Sequence, residues 1–555
     1  MNGPPPNYQY NPNAYPPAQN GQVNPYDSYG QPQQPYGQPQ QPYGQPQQPY
    51  GQPQQGYQGG GGPSYGPGYA NPYGGATTGA PPPAPPAPPQ TSQQDKIVPS
   101  SACRDVWAIF LWIASMGLFI ALAVIGIPAI RTLQDPSGDK DLGGRDGTLA
   151  INAKAVGYVI LLSVVGGAVV TMTWFGLMCR FARPMIVITF WLNLLITLGL
   201  AVFFFVVGSF IAGIVWAVVA VLQLLFYRSF KARMPLAALI LTTVTAVIRQ
   251  HPATIAVGTL GMVLQSGWAC LFIATVAGMG QYFNNRDDSP ALTYLAFVYL
   301  VLVFYWTTQV IRNTVHVTNA GLFATWYFAA REATLGAAQR RALTTSFGSI
   351  CFGSLLIALV QTLRTMLNLA RQQAQQDGNA GLAILACFCE CFVGCVGDML
   401  EYFNTYAFVQ VAMYGHAYVP AAKATWNLIK QRGFDIIIND SLVDNVLSCG
   451  MVLTGMLTGG VAYIFVRFAN NSLIPDDPAY YVILVIVAFI VGISEFTLMS
   501  SVIESGVNTL FVGICEDPEV LRMAQPTLYS ALQQAYPTVS FGPIAHHNNN
   551  NNGAY

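Results

Sequence analysis

Apolar runs of membrane-spanning length follow one another between residues 106 and 503, separated by short polar connections. An α-helix rises 1.5 Å per residue, so the ~30 Å hydrocarbon core of a bilayer requires about 20 apolar residues. Ten segments meet this requirement: 106–130, 155–178, 184–207, 209–227, 254–278, 291–311, 343–363, 381–401, 445–466 and 480–503. The pattern predicts an all-α polytopic membrane protein with about ten transmembrane helices, in a domain that covers residues 96–535.

The connections between the spans carry three further signals. Only Gly208 separates the third and fourth spans, which predicts a tight helical hairpin. The apolar segment Pro235–Ile248 is short and is followed by Arg249, which favours an amphipathic helix lying at the membrane interface. The segment Asn313–Phe328 begins with several polar residues, which favours a re-entrant or surface-lying helix.

Both ends of the chain have a different composition. Residues 1–95 contain no apolar run, and QPQQPYG repeats three times from Gln31 to Gly51. Such a composition cannot bury enough apolar surface to offset the entropy of ordering, so a disordered tail is expected here and over residues 536–555. The N-terminal tail is either a solvated segment without a partner or an arm that binds cytosolic partners such as SH3 or WW domains.

The charged residues are few and unevenly placed. Only 9% of the 555 residues are charged, against about 25% in an average soluble protein. Lys+Arg and Asp+Glu balance at 24 each, which gives no indication of a nucleic-acid partner. With both tails in the cytosol, 16 Lys and Arg residues fall on the cytosolic side and 8 on the other. The positive-inside rule therefore predicts cytosolic termini, and it places the candidate glycosylation site Asn470 outside.

The eighth span combines apolar length with acidic residues. Seven small or polar residues share one broad stripe of this helix: Cys387, Glu390, Cys391, Gly394, Cys395, Asp398 and Glu401. A carboxylate in hydrocarbon costs several kcal/mol unless it faces protein, water or a cation, so the stripe should face inward. The alternative is that Asp398 and Glu401 lie at the cytosolic headgroups. Without a nearby His, the cysteines favour packing or lipidation, and neither a metal nor a cofactor is expected.

The last span carries a second buried acid. Thr497, Ser501 and Glu504 share one face of the predicted helix, while Glu495 points nearly opposite. At least two sides of this helix should therefore meet protein or water. Glu495 is a candidate for substrate binding or proton coupling, and the alternative is an interhelical hydrogen bond without a ligand.

Four segments carry a resemblance to a known family. They are FNTYAFVQVAMYG (Phe403–Gly415), YWTTQVIRNTVHVTNAGLFATWYF (Tyr305–Phe328), SFGSICFGSLLIALVQTLR (Ser346–Arg364) and VNTLFVGICEDPE (Val507–Glu519). Their order and spacing resemble the choline transporter-like family of solute carriers, solute carrier family 44, and its fungal branch in particular. The resemblance covers roughly residues 100–535. One departure is the connection after the first span, which is short here, at about Arg131–Ala153.

The resemblance implies a plasma-membrane protein that moves choline or a related small organic cation, by facilitated or gradient-driven transport. A quaternary ammonium ion is bound by aromatic faces, often with a carboxylate nearby. The candidate substrate-binding residues are therefore Trp306, Tyr305, Glu390 and Glu495. Adjacent helical residues point about 100° apart, so one of the two aromatic residues should line the path, and Trp306 offers the larger face.

No enzymatic motif is present in the sequence. It contains no Walker A loop, no GxSxG, no HExxH and no dinucleotide fingerprint, so an enzyme is not expected. Two alternatives to a transporter remain. One is a channel or lipid scramblase-like protein with a continuous polar path, and the other is a membrane scaffold that acts through its repeat tail.

Overall fold

The computed structural model describes residues 102–131, 153–284, 290–328, 334–432, 441–468 and 478–535. Within these ranges the regular structure is entirely helical. The helices are α1 (Val106–Arg131), α2 (Ala153–Arg180), α3 (Ala182–Val206), α4 (Phe210–Gln250), α5 (Ala253–Asn284), α6 (Pro290–Phe328), α7 (Leu335–Leu343), α8 (Phe347–Gln376), α9 (Ala380–Tyr414), α10 (Tyr418–Arg432), α11 (Ser441–Phe468), α12 (Pro478–Glu516), α13 (Pro518–Ala524) and α14 (Pro526–Ala535).

Ten of these helices contain a stretch that is long and apolar enough to cross a membrane, namely α1 to α6, α8, α9, α11 and α12. They coincide with the ten spans predicted from the apolar runs, so the predicted fold class is confirmed. The predicted tails, residues 1–95 and 536–555, and the sequon at Asn470 lie outside the described residues.

Exposed apolar side chains mark the surface that faces lipid. In α9 they run from Leu382 to Met399, and from Tyr406 onward the helix is buried in protein. In α4 they run from Phe210 to Phe226. At 1.5 Å per residue, both stretches measure about 25 Å, close to the thickness of the hydrocarbon core. Both helices therefore continue past the lipid-facing surface into a protein core.

The C-terminal part of α4 lies in that core, and the position of this part corrects one prediction. The segment Pro235–Ile248 does not form a separate interfacial helix, because α4 continues through Pro235 to Gln250. Leu236, Ile240 and Ile248 are buried in the largest core cluster. An interfacial helix keeps one face in water, whereas this segment is enclosed by neighbouring helices.

The second half of α6 corrects another prediction. Asn313–Phe328 is neither re-entrant nor surface-lying, since it continues α6 without a break and is buried for most of its length. Its polar residues have protein partners: the side chain of Asn313 donates a hydrogen bond to Ser354 Oγ at 3.0 Å. Gly506 of α12 packs directly against Phe323, which leaves no room for a side chain there. The apolar residues of this segment are therefore buried against other helices, and not at the membrane surface as the sequence predicted.

Two turns and one acidic residue fix the arrangement of the spans. Gly208, at φ +83°, connects α3 to α4, which confirms the predicted hairpin. Asn379 caps α9 by accepting a hydrogen bond from Leu382 N at 3.1 Å, so α8 and α9 form an antiparallel pair. Asp105, just before α1, accepts hydrogen bonds from Ser349 Oγ at 2.7 Å and from Tyr418 N at 2.8 Å. It thereby holds the start of α1 against α8 and α10.

Candidate functional site

A cavity of about 700 Å³ lies where α6, α9, α11 and α12 meet. Its lining is mostly polar and consists of Arg312, Asp398, Glu401, Tyr402, Thr405, Tyr406, Asp444, Leu447, Ser448, Met451, Thr497, Ser500, Glu504 and Asn508. The volume falls within the range of small-molecule sites, which is roughly 300–1,000 Å³. All of these residues belong to helices that contain a candidate membrane span, and on α9 they begin where the lipid-facing stretch ends.

Arg312 of α6 is the one cation in the lining of this cavity. Its Nη1 donates a hydrogen bond to Glu401 Oε1 of α9, and its Nη2 lies 3.3 Å from Glu504 Oε2 of α12. The side chains of Arg312 and Glu504 are 22% and 19% exposed. A mostly buried guanidinium needs such partners, because an unpaired charge at this depth costs several kcal/mol. The three residues therefore tie α6, α9 and α12 together.

The cavity carries an excess of negative charge. Among the described residues of the lining, Asp398, Glu401, Asp444 and Glu504 contribute carboxylates and Arg312 contributes a guanidinium, while Arg364 Nη1 of α8 lies 3.8 Å from Asp398 Oδ1. Low-dielectric walls focus the field of such charges and raise the local concentration of counter-ions. With its carboxylates ionised, the cavity attracts a cation.

Two tyrosines provide aromatic surface beside the carboxylates. Tyr402 and Tyr406 stand one turn apart on α9, with ring centroids 5.3 Å apart and ring planes at 64°. Their hydroxyl groups are 3.3 Å apart. A cation within about 6 Å of such a ring is attracted by its π face. The cavity therefore combines the two features that a quaternary ammonium ion requires, namely negative charge and aromatic faces.

A group of tightly packed polar residues, which includes His316 and Asn404, lies next to Arg312 and leaves only about 10 Å³ of free volume. His316 Nε2 donates a hydrogen bond to the carbonyl of Thr405 at 3.3 Å. Asn404 Nδ2 donates a hydrogen bond to the carbonyl of Gly353 at 3.5 Å. The first bond joins α6 to α9 and the second joins α9 to α8, so the helix that carries Arg312 is held against its neighbours.

The predicted acidic stripe of α9 is divided between two environments. Glu390 accepts a hydrogen bond from Asn368 Nδ2 at 2.8 Å and lies 3.3 Å from Arg371 Nε, both on α8. Glu401 contacts Arg312, as described above. Cys391, Cys395 and Asp398 are exposed. One edge of the stripe therefore faces protein as predicted, whereas the other edge remains open.

Glu495 lies apart from the cavity, on the opposite side of α12. Its side chain is 1% exposed, and Oε1 accepts a hydrogen bond from Ser266 Oγ of α5 at 3.2 Å. Oε2 lies against Gly167 of α2 and has no hydrogen-bond partner among the described residues. Thr497 and Glu504 face the cavity instead, as the helical wheel predicted. The role of Glu495 in substrate binding or proton coupling stays a prediction.

The two aromatic candidates of α6 pack between helices. Trp306 is 3% exposed, in a cluster with Ala108 of α1 and Ala358 of α8, and its Nε1 donates a hydrogen bond to the carbonyl of Cys351 at 2.9 Å. The hydroxyl of Tyr305 is 3.0 Å from Thr365 Oγ1. Neither residue lines the cavity, nor do Glu390 and Glu495. The structure thus distributes the four predicted site residues over separate places, and their role in binding stays a prediction.

The residues that define the cavity were only partly visible in the sequence. Glu401 belongs to the predicted stripe of α9 and Glu504 shares a predicted face with Thr497, whereas the sequence pattern singles out neither Arg312 nor Asp444. The available signal was charge complementarity, since a lone Arg in an apolar helix needs an acidic partner. Sequence alone does not show which acid that is.

A ten-helix membrane domain with a polar cavity among its helices is an arrangement that membrane transporters have. The family described as plasma-membrane choline transporter matches residues 214–519, more than half of the chain. The protein belongs to this family, and it is a membrane transporter. The matched region contains most of α4 and all of α5 to α12, and therefore every residue that lines the cavity.

Several curated fungal proteins are similar to the chain over most of its length. Protein PNS1 of Mycosarcoma maydis is 33% identical over 459 residues, which cover 81% of this chain and 86% of that protein. Protein PNS1 of Cryptococcus neoformans var. neoformans serotype D (strain JEC21) is 30% identical over 468 residues, covering 81% and 84%. Protein PNS1 of Candida albicans (strain SC5314) is 30% identical over 459 residues, covering 78% and 86%. The resemblance to the fungal branch of the family is therefore confirmed.

Proposed function

We propose that the protein moves choline or a related small organic cation across the plasma membrane and binds it in the acidic cavity around Arg312. The observation that carries this proposal is the charge of the cavity, in which four carboxylates accompany one guanidinium. An anion would meet repulsion in such a site, and a neutral solute would gain nothing from the field.

The lining suits a trimethylammonium head. Choline carries one positive charge and has no N–H group, so it binds through the field of carboxylates and through aromatic faces rather than by donating hydrogen bonds from nitrogen. Tyr402 and Tyr406 supply the rings, each contributing about 0.5–2 kcal/mol. Ser500 and Asn508 offer polar partners for the hydroxyl group. Tetramethylammonium should therefore compete with choline, and glycerol should not.

Arg312 gives the site a means of coupling occupancy to helix movement. Its guanidinium pairs with Glu401 of α9 and with Glu504 of α12. A bound cation competes with the guanidinium for these carboxylates, because each pair is an attraction between opposite charges at short range. Occupancy then weakens the connection between α6, α9 and α12, which allows them to rearrange. Such transport runs down the gradient of the cation or of an ion coupled to it.

The proposed topology follows from the charge asymmetry. Both termini are cytosolic and the Asn470 connection is extracellular, in accord with the 16-to-8 distribution of Lys and Arg. Asp444 lies three residues from the start of α11, at the end predicted to be cytosolic. The cavity is therefore reached most directly from the cytosol. Cytosolic partners of the N-terminal tail would bind on this same side.

Uptake of labelled choline into proteoliposomes of the purified full-length protein tests the proposal. Asp444→Asn keeps the size of the side chain and removes one negative charge from the cavity, so the KM for choline should rise about tenfold, equivalent to ~1.4 kcal/mol. Glu519→Gln is the matched control, since Glu519 pairs with Arg522 at 2.6 Å outside the cavity. The control should transport like the wild type. Failure of the wild-type protein to accumulate choline or any competing organic cation would overturn the proposal.

A further inference from the structure

One face of α10 is exposed and carries two lysines beside apolar side chains. Its residues are Val419, Lys423, Trp426 and Lys430, and all four are exposed. At 100° per residue, they lie within about 60° of the circumference of the helix. Tyr418, on another side of α10, is buried. The four exposed residues are called the basic face of α10 below.

The beginning of α10 lies where the lipid-facing surface of α1 starts. Tyr418 N donates a hydrogen bond to Asp105 Oδ2 at 2.8 Å, and Asp105 directly precedes α1. Trp107 is 51% exposed, and exposed apolar residues continue along α1 as far as Ile125. Such a series marks contact with lipid, so its first residues lie at one boundary of the hydrocarbon layer.

The middle of α10 lies where the lipid-facing surface of α9 ends. The ring centroids of Trp426 and Phe403 are 6.4 Å apart. Phe403 comes one helical turn after Met399, the last residue of the lipid-facing stretch of α9. Because α9 contains the eighth of the ten spans, it ends on the side of the membrane on which α1 begins. Two separate contacts therefore place α10 at the level of the phospholipid headgroups on that side.

The lysines of the basic face form no ion pair with a described carboxylate. Lys430 Nζ lies 5.1 Å from the centre of the Trp426 ring. Lys423 and Trp426 line a shallow recess of about 370 Å³, whose lining contains no acidic residue. Ammonium groups at the headgroup level attract anionic lipids, and tryptophan is favoured at the same level. The charge and the composition of the face thus match a membrane surface that carries negative charge.

We propose that the basic face of α10 binds the headgroup of an anionic phospholipid, with the phosphate at Lys423 and Lys430 and the glycerol region beside Trp426. Phosphatidylserine is the natural probe, since anionic lipids of this kind give the cytosolic leaflet its negative surface potential. A zwitterionic lipid adds a positive group that the lysines repel, so the face discriminates between lipids by charge. The inference is independent of the solute that the protein moves.

Native mass spectrometry of the purified full-length protein in detergent tests the binding. Phosphatidylserine and phosphatidylcholine are titrated separately, and the wild type should bind phosphatidylserine more tightly. In the double variant Lys423→Gln with Lys430→Gln, the apparent affinity for phosphatidylserine should fall about thirtyfold, equivalent to ~2 kcal/mol. Binding of phosphatidylcholine should not change. Since both side chains are exposed, the melting temperature without added lipid should match that of the wild type.

Two control variants separate the basic face from net charge. Lys423→Arg with Lys430→Arg keeps both positive charges in place and should bind phosphatidylserine like the wild type. Arg340→Gln removes an exposed cation from α7, outside the basic face, and should also bind like the wild type.

Tryptophan fluorescence in lipid nanodiscs locates the bound lipid. Lipids with brominated acyl chains quench nearby tryptophans, and brominated phosphatidylserine should quench the wild type more than the same fraction of brominated phosphatidylcholine. Trp426→Phe should abolish this difference. Trp191→Phe is the matched control, because Trp191 of α3 is 48% exposed against 46% for Trp426, and this variant should keep the difference.

Three results would overturn the proposal. The first is equal affinity of the wild type for the two lipids, and the second is unchanged phosphatidylserine binding in the Lys→Gln double variant. The third is displacement of phosphatidylserine by an equal concentration of inorganic phosphate, because the face would then bind free phosphate and not a lipid. Tighter phosphatidylserine binding that depends on the two lysines, together with excess quenching that depends on Trp426, supports it.

Discussion

Arg312 of α6 reaches Glu504 of α12 with Nη2 and Oε2 3.3 Å apart, although 192 residues separate them in the sequence. The same guanidinium contacts Glu401 of α9. Removing it leaves two carboxylates without their cation in a partly buried site. Arg312→Gln should therefore lower the free energy of unfolding by about 1–3 kcal/mol, less than a fully buried pair would, since the side chains retain some contact with solvent.

A double-mutant cycle with Glu504→Gln checks this prediction. Thermal unfolding of the purified protein in detergent should show that the double variant is less destabilised than the sum of the two single variants, because removing one partner already loses the interaction. Additive effects would mean that the two side chains do not interact in the folded protein.

A close helix crossing supplies a second prediction. Gly278 of α5 lies directly against the backbone carbonyl of Gly126 in α1, and a Cβ at position 278 would overlap it. Small residues allow transmembrane helices to approach in this way. Gly278→Ala should lower the free energy of unfolding by about 1–3 kcal/mol, because α1 and α5 must move apart. Gly280→Ala, where a Cβ meets no atom within 4 Å, should leave the stability unchanged.

Trp306→Leu distinguishes packing from substrate binding. The sequence suggested that the indole holds the cation, in which case the variant raises the KM for choline roughly tenfold. The structure places Trp306 in a packed cluster, with its Nε1 hydrogen-bonded to Cys351. From this geometry we expect a lower melting temperature and an unchanged KM per folded molecule. A raised KM with an unchanged melting temperature would restore the role predicted from the sequence.

Topology is tested independently of transport. An epitope inserted at residue 20 or at residue 550 should be reached by antibody only after permeabilisation, and one at residue 140 should be reached on intact cells. The expectation derives from the excess of Lys and Arg on one side. Surface labelling of either terminus would require the opposite orientation, and the cavity would then open to the outside.

The ten spans could be predicted because span length and hydropathy are local properties. The error at Asn313–Phe328 has a physical origin. A helix with polar residues and apolar flanks is compatible with the membrane surface and with a protein interior, and Ser354, the partner of Asn313, lies 41 residues away in the sequence. Local sequence does not reveal such a partner. The same reason explains the segment Pro235–Ile248, where Val244 packs against Gly506 of α12, far away in the sequence.

The candidate site could be predicted only as a list of residues that are costly to bury. That argument identified Glu390, Glu401 and Glu495, and each of them has a protein partner in the structure. It could not show that Asp398, Glu401 and Glu504 line the cavity whereas Glu390 and Glu495 do not. Whether a residue lines the cavity depends on which helices are neighbours. The helices α6, α9, α11 and α12 meet through contacts between residues that are distant in the sequence.

The lengths of α6, α9 and α12, which are 39, 35 and 39 residues, have a mechanical consequence. At 1.5 Å per residue each extends for about 50–60 Å, well beyond the hydrocarbon layer, and none contains a proline beyond its first residue to act as a hinge. In the proposed transport cycle, each therefore moves as a stiff rod about the contacts that Arg312 makes. A small change of tilt at these contacts displaces the far end near Tyr414 or Glu516 by a larger distance. Conversely, a protein bound to those ends would restrict this change of tilt.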